Sequence, residues 1–406
     1  MQVAVIGAGA AGCFCAAEIR RRLPYAGVTV FEAGPKALAK VAVTGGGRCN
    51  LTNTFEGVSR LEEAYPRGAA VVKNAFKALS PEQTFQWWEN AGVPLTVQPD
   101  GCVFPESQDA MQVVRTLERL MRQNGVQLLC GHRVTRINQD LTLEVQGLPE
   151  PFKADAVLLA VGGLKEEALR ALLPPQVSVT STVPSLFTLK IQDPGLNALM
   201  GTVAKDARLE LAGSGISAQG ILLVTDWGIS GPATLKLSSY AARELARTAC
   251  KGEIIINWLN SSPQEVRDWM HRTASLQGKK QLSGCRPDGF TERLWEHTLR
   301  RAGADRTRKW AETGKEELRR IENALLRDRY PIDGRVRFKE EFVTCGGVSL
   351  QSINPRTLES KDIPGLYFSG EVLDIDAITG GFNLQAAWST GYMAAADICG
   401  KLARFV

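Results

Sequence analysis

Several things are scarce in this chain, and each scarcity removes a class of function. Only three histidines occur, His132, His271 and His297, far apart in sequence, so no multi-histidine metal site is read and the metal set is empty. The nine cysteines are an odd number and include no CxxC pair. They are read as reduced thiols of a cytoplasmic protein, neither a disulfide framework nor a zinc ribbon. No apolar run reaches the roughly 18 residues of a membrane-spanning helix. The opening VAVIGAGAAGCFCAA lacks a basic leader, and its glycines fall at meaningful positions, so it is not read as a signal peptide.

What is present is ordinary in bulk and uneven in detail. The 406 residues suffice for more than one core, and 44% hydrophobic with 22% charged residues describe a soluble globular protein. The net charge is +5, and Ser261 to Glu340 alone holds 19 Lys/Arg against 13 Asp/Glu. That stretch is read as a solvated helix face in preference to a nucleic-acid site.

The amino terminus carries the densest signal. QVAVI (2–6) suits a buried parallel strand, and Gly7, Gly9 and Gly12 spell G-A-G-A-A-G before the helix CFCAAEIRRRL. Gly7 permits a tight turn, Gly9 lets a pyrophosphate approach the backbone, and Gly12 lets helix and strand pack. The N–H groups of Ala10 and Ala11 would face the phosphates at the helix start. The next strand, VTVFEA, ends in Glu32 and Ala33, and Glu32 falls 20 residues after Gly12, where a carboxylate accepts from ribose hydroxyls.

TGGGRCNLTN (44–53) chooses between dinucleotides. The second strand runs straight into AGPKALAKVAVTGGGRCNLTN, with more glycine and amide than a helix tolerates, and such a loop suits the extended body of FAD. Lys40, Thr44 and Gly45, Gly46 and Gly47 would lie along it, Arg48 would offset phosphate charge, and Asn50 or Asn53 would bond the ribityl chain or the ring edge. Cys49 is read as packing or flavin contact, with thiol chemistry the lesser alternative.

Near the carboxyl terminus, IPGLYFSGE (363–371) reads as a strand and turn. Glu371, after Gly370, is placed to hold the ribityl chain. Gly380 and Gly381 open a helix whose first residues, Phe382, Asn383 and Leu384, would present N–H groups to negative charge at the flavin. In the middle, 127–137 is read as one strand bringing Val134 to the adenine. ADAVLLAVGG (154–163) ends in a turn that brings Ala160 and Gly162 near the cofactor. Short β-like runs from about 180 to 257 suggest a small barrel or sandwich, and a helical, basic stretch follows to about 328. VRFKEEFVTCGGVSL (336–350) returns the chain to the cofactor domain. No second glycine fingerprint is found, so NAD(P)H would dock transiently at the flavin or electrons would come from the substrate; both routes stay open, as does oligomeric state.

GAGAAG, TGGGRCNLTN, GISGPA (228–233), VTCGGVSL (343–350) and GLYFSGEVLDIDAITGGFNLQAAWSTGY together resemble the bacterial aminoacetone-oxidase-like flavoproteins. This Rossmann-fold NAD(P)/FAD-dependent family also includes proteins likened to bile-acid dehydro-steroid reductases. The resemblance implies an α/β fold: a glutathione-reductase-like FAD-binding domain (1–180 and 336–406) with an inserted substrate domain (181–335), β-rich to 257 and helical and basic beyond. It implies non-covalent FAD, a small-molecule substrate, and hydride transfer in enone-type reduction or amine oxidation. An RNA-directed flavoprotein and a non-catalytic redox sensor are the alternatives. Many members have a histidine where this chain has Asp226 in TDWGISGP, so any role of that histidine does not transfer directly. Cys49, Asp226 and Asp376, with Arg48, form a weak catalytic shortlist; Asp226 is also read as a cap for the following helix.

Overall fold

The computed structural model describes residues 1–336 and 343–405. They divide into two compact units, residues 1–183 with 343–405, and residues 184–336. The segment 337–342 of the returning stretch lies outside the described residues.

The first unit is built on a parallel sheet of β1 (Gln2–Ile6), β2 (Gly27–Glu32), β3 (Gln127–Cys130), β4 (Ala156–Leu159) and β5 (Leu366–Phe368), ordered β5-β4-β1-β2-β3. Val3 pairs with both Val28 and Ala156, and Val157 pairs with Leu366. Strands covered on both faces need continuous apolar runs; VAVI, AVLL and LYF are buried throughout. A first helix, Ala10–Arg22, follows β1, and a terminal helix, Phe382–Leu402, closes the chain. The two helices meet backbone to backbone where Gly391 faces Ala11, and a Cβ on Gly391 would lie 2.9 Å from the Ala11 carbonyl oxygen. This is a Rossmann-type α/β fold.

Residues 127–137 are not one strand. Gly131, at φ +74°, turns the chain out of the parallel sheet. Val134–Ile137 then joins Thr142–Val145 and Phe152–Lys153 in a separate antiparallel sheet. The loop after β2 also holds more helix than its composition suggests. A helix spans Ala39–Gly47, broken at Thr44, Gly45 and Gly46, where ψ of 148° and then φ of +59° and +69° leave helical space. The alanine–valine start tolerates helix, and the glycines end it.

The second unit contains a six-stranded antiparallel sheet, in spatial order Leu189–Lys190, Gly228–Ser230, Ser217–Thr225, Val203–Leu211, Lys251–Asn257 and Asp328–Asp333. It closes on itself, because the Lys190 N–H donates to the Gly334 carbonyl (2.9 Å) and Leu189 bridges Arg335. Of the barrel and the sandwich that the short β runs allowed, the closed sheet corresponds to the barrel. Helices Pro263–Gln277, Glu292–Arg301 and Lys315–Leu326 complete the unit. Trp258, Trp295 and Trp310 are buried in its core. Trp295 and Trp310 lie parallel to each other, and Trp269 meets both edge to face.

Candidate functional site

The parallel sheet reverses its winding between β1 and β4, and in such sheets ligands bind outside the carboxyl ends of the strands at that switch point. Gly7 leaves β1 at φ +100°, and a Cβ there would lie 2.5 Å from the Ala160 carbonyl oxygen. Gly12 is tighter still, since its Cβ would come within 2.0 Å of the Gly7 oxygen. At Gly9 nothing lies within 4 Å of an added Cβ, so that face is open. The first helix has Gly9 at its N-cap, no side-chain cap and no acid in its first turn. The leading N–H groups of Ala10 and Ala11 therefore keep their positive field for an anion.

Glu32 ties this turn together. Its carboxylate accepts from the Ala8 N–H (2.9 Å) and the Gly34 N–H (2.7 Å). Ala33 beside it is exposed. Gly131 and His132 bond the Gly34 and Glu32 carbonyls, so Val134, though in another sheet, comes two residues after a backbone bond to the end of β2.

The glycine-rich loop spans between two helix termini. At its near end the Leu38 N–H donates to the Ala8 carbonyl (2.7 Å). At its far end the Asn50 amide donates to the Thr52 carbonyl (3.1 Å) and accepts from the Gly381 N–H (3.2 Å), at the N-cap of the terminal helix. Asn53 adds a bond to the Gly380 carbonyl (3.0 Å). Between these anchors, Gly46 and Gly47 have positive φ and nothing within 4 Å of an added Cβ. Thr44 bonds Val41 inside the loop. Arg48 is exposed and lies over the Phe104 ring, 4.5 Å from its centroid.

A third group gathers at β4 and β5. Glu371 accepts from the Thr344 N–H (2.9 Å), and its other oxygen lies 3.8 Å from Lys40 Nζ. A Cβ on Gly162 would sit 3.6 Å from that carboxylate and 3.8 Å from the same ammonium, so Lys40, Gly162 and Glu371 converge. The terminal helix has no side-chain cap and no acid in its first turn. Asn383 faces backward, accepting from the Ala377 N–H (3.0 Å) and donating to its carbonyl (3.2 Å). Its amide thus braces the loop before the helix. Phe382 is held at its carbonyl by Tyr65 (2.7 Å), and Leu384 follows in the first turn.

The shortlisted catalytic groups differ sharply. Cys49 is wholly buried at φ +61°, and burial pushes its thiol up to about 12, which leaves little thiolate at neutral pH. Asp376 is also wholly buried, and its two oxygens accept from Arg67, each at 2.5 Å. Asp226 is exposed in the turn of a hairpin in the second unit; Gly231, and not Asp226, occupies the N-cap of the following helix. The segment AYPRG (64–68) was not singled out by sequence. Its aromatic, arginine and glycine within one short loop were the only visible signal.

The fold and this glycine-lined crevice define a Rossmann-type α/β protein with a crevice of the kind that binds dinucleotides. The chain belongs to the family described as HI0933-like protein Rossmann domain, whose model matches residues 1–397. A relative from Clostridium scindens, 3-dehydro-bile acid delta(4,6)-reductase, is 28% identical over 97% of this chain and 98% of its own. These findings bear out the resemblance carried by the motifs. A ribosomal RNA dihydrouridine synthase of Haemophilus influenzae is 27% identical over 97% of each chain, and its Escherichia coli namesake matches equally. A solved quinol-fumarate reductase with menaquinol shares the fold at a TM-score of 0.50, with 14% identity over 100% of this chain and 72% of that one. No described helix is long and apolar enough to cross a membrane.

Proposed function

We propose that the chain holds FAD without a covalent bond and reduces a ring carbon–carbon double bond conjugated to a carbonyl. One observation carries the cofactor assignment: a glycine loop with open faces at Gly46 and Gly47 runs from one uncapped helix terminus to another. The terminal helix crosses the first helix at Gly391, nine residues from its own start, which is about 14 Å of helix rise. An extended dinucleotide suits that span, with its pyrophosphate at Gly9 to Ala11 and its ring toward Gly381 to Leu384. Gly7 and Gly12 shape the phosphate turn, while Glu32, Ala33 and the backbone near Val134 suit the adenosine end. Lys40, Thr44, Arg48, Asn50, Ala160, Gly162, Gly370 and Glu371 line the span, Cys49 packs beneath it, and Asn383 keeps the far terminus in place.

When bound, FAD supplies hydride chemistry. The chain's own part is to exclude water, orient substrate and stabilise negative charge with the terminal helix N–H groups. Double-bond reduction is favoured over amine oxidation because the three relatives described above are named for a reductase or a dihydrouridine synthase, each of which adds hydrogen to a ring double bond. A small-molecule enone is the first substrate class. RNA uridine is the second reading, supported by two of those names and by the cationic surplus of residues 261–340. NAD(P)H is the proposed transient donor.

Anaerobic mixing with NADH, and separately NADPH, tests the donor through the flavin's visible absorbance. Bleaching followed by recovery on adding a cyclic enone supports the reading. Recovery only with uridine-containing ribosomal RNA moves the substrate to RNA, and bleaching by an amine alone overturns the reductase assignment.

A further inference from the structure

The loop Asp374–Gly381, which leads into the terminal helix, is gripped from one side by residues 64–68. The Ile378 N–H donates to the Ala64 carbonyl (2.9 Å), and the buried Tyr65 hydroxyl donates to the Phe382 carbonyl (2.7 Å). Gly68, at φ +76°, lets the backbone come so close that a Cβ would lie 2.4 Å from Ile375 Cγ1. At the centre, Arg67 and Asp376 form a backbone bridge and a two-pronged ion pair, with side-chain exposures of 12% and 0%.

A buried ion pair is a poor device for stability alone, because desolvation offsets much of the attraction and apolar pairs of similar volume often serve as well. What the pair provides is direction. A planar guanidinium meeting both oxygens of a carboxylate fixes distance and orientation together. It also cancels its own charge, so that the terminal helix N–H groups act on the site without a buried anion opposing them. Asn383, in the first turn of the terminal helix, is braced on Ala377, the residue next to Asp376.

We propose that the Arg67–Asp376 pair positions the amino terminus of the terminal helix, and thereby sets how strongly the site prefers reduced over oxidised cofactor. This rests on the FAD assignment above. Arg67 and Asp376 are positioning residues here and touch no reacting atom. Reduced flavin carries more negative charge than oxidised flavin, so displaced helix donors weaken the reduced complex most.

The test uses the full chain with FAD. The double variant Arg67→Met/Asp376→Leu replaces the pair with apolar groups, and Arg67→Lys keeps the charge but loses the two-pronged grip. Three quantities are measured: thermal melting without cofactor, FAD affinity by titration, and the flavin two-electron midpoint potential. The double variant is expected to melt near the parent while losing about ten-fold of its preference for reduced cofactor, a fall of about 30 mV. Arg67→Lys is expected to lie between. A folded double variant with parental potential and affinity overturns the proposal. If the double variant does not fold, Arg67→Lys decides alone, and a parental potential there also overturns it. A parent chain that retains no FAD is a distinct outcome, which removes the cofactor assignment itself.

Discussion

The Tyr65 hydroxyl, wholly buried, donates to the carbonyl of Phe382, the first residue of the terminal helix, across 317 positions of sequence. A loop near the amino terminus thus helps fix where the last helix begins.

Tyr65→Phe removes that donor and leaves the ring packing on Phe55 and Phe382. The expected cost is about 1 kcal/mol, read as a melting point lowered by about 2–4 °C. An unchanged melting point would show that the bond carries no net stability.

Gly46 and Gly12 separate binding from folding. Gly46→Val meets open space, although φ of +69° strains a branched residue by about 1–3 kcal/mol. The chain is expected to fold with unchanged far-ultraviolet dichroism and to lose bound flavin. Gly12→Val collides with the Gly7 carbonyl and is expected to lose both. A yellow Gly46→Val protein would refute the loop assignment.

Cys49 is expected to be inert. With its pKa pushed up to about 12 by burial, on the order of one thiol in 100,000 is ionised at pH 7. Iodoacetamide should label it no faster than the native protein opens, as followed by peptide mass spectrometry. Rapid labelling under native conditions would restore thiol chemistry to consideration.

His297 gives the second unit a pH dependence. It is buried, with Nε2 2.7 Å from the Tyr330 hydroxyl. Burial holds its pKa below the ordinary 6.5, against Asp328 and Asp193, which favour the cation, while Arg300 and Arg301 disfavour it. A depressed folded pKa means that only the unfolded chain takes up the proton first. Stability from the neutral ring is therefore full above about pH 6.5 and falls as pH drops below it. His297→Gln should flatten that part of the denaturation profile; an unchanged slope would assign it to other groups.

Some of this was legible in the sequence because local sterics leave signatures. Gly7, Gly9 and Gly12 each have a different steric reason, and their spacing to Glu32 reports a strand–helix–strand unit. The short β runs of the second unit likewise report a β-rich unit, though not whether it is a barrel or a sandwich. Partners distant in sequence leave no such mark. Nothing local says that Arg67 meets Asp376 or that Asn383 turns back to Ala377. The chain leaves the parallel sheet at Gly131 because a single glycine permits the turn, and the β-forming runs QLLC and VTRI to either side hide it. Asp226 looked like a helix cap because the hairpin between it and Gly231 is only three strand residues long.

The order of the strands has a consequence during synthesis. β4 ends at Leu159, but its neighbour β5 begins only at Leu366, with the terminal helix after it. At about 5–20 residues per second, the phosphate turn at Gly7 waits some 20–75 seconds for Gly381. From its own synthesis until β5 follows, β4 has an open edge, a template for unwanted strand pairing. A product that stops before β5 therefore keeps the dinucleotide fingerprint intact while leaving that edge of β4 unpaired.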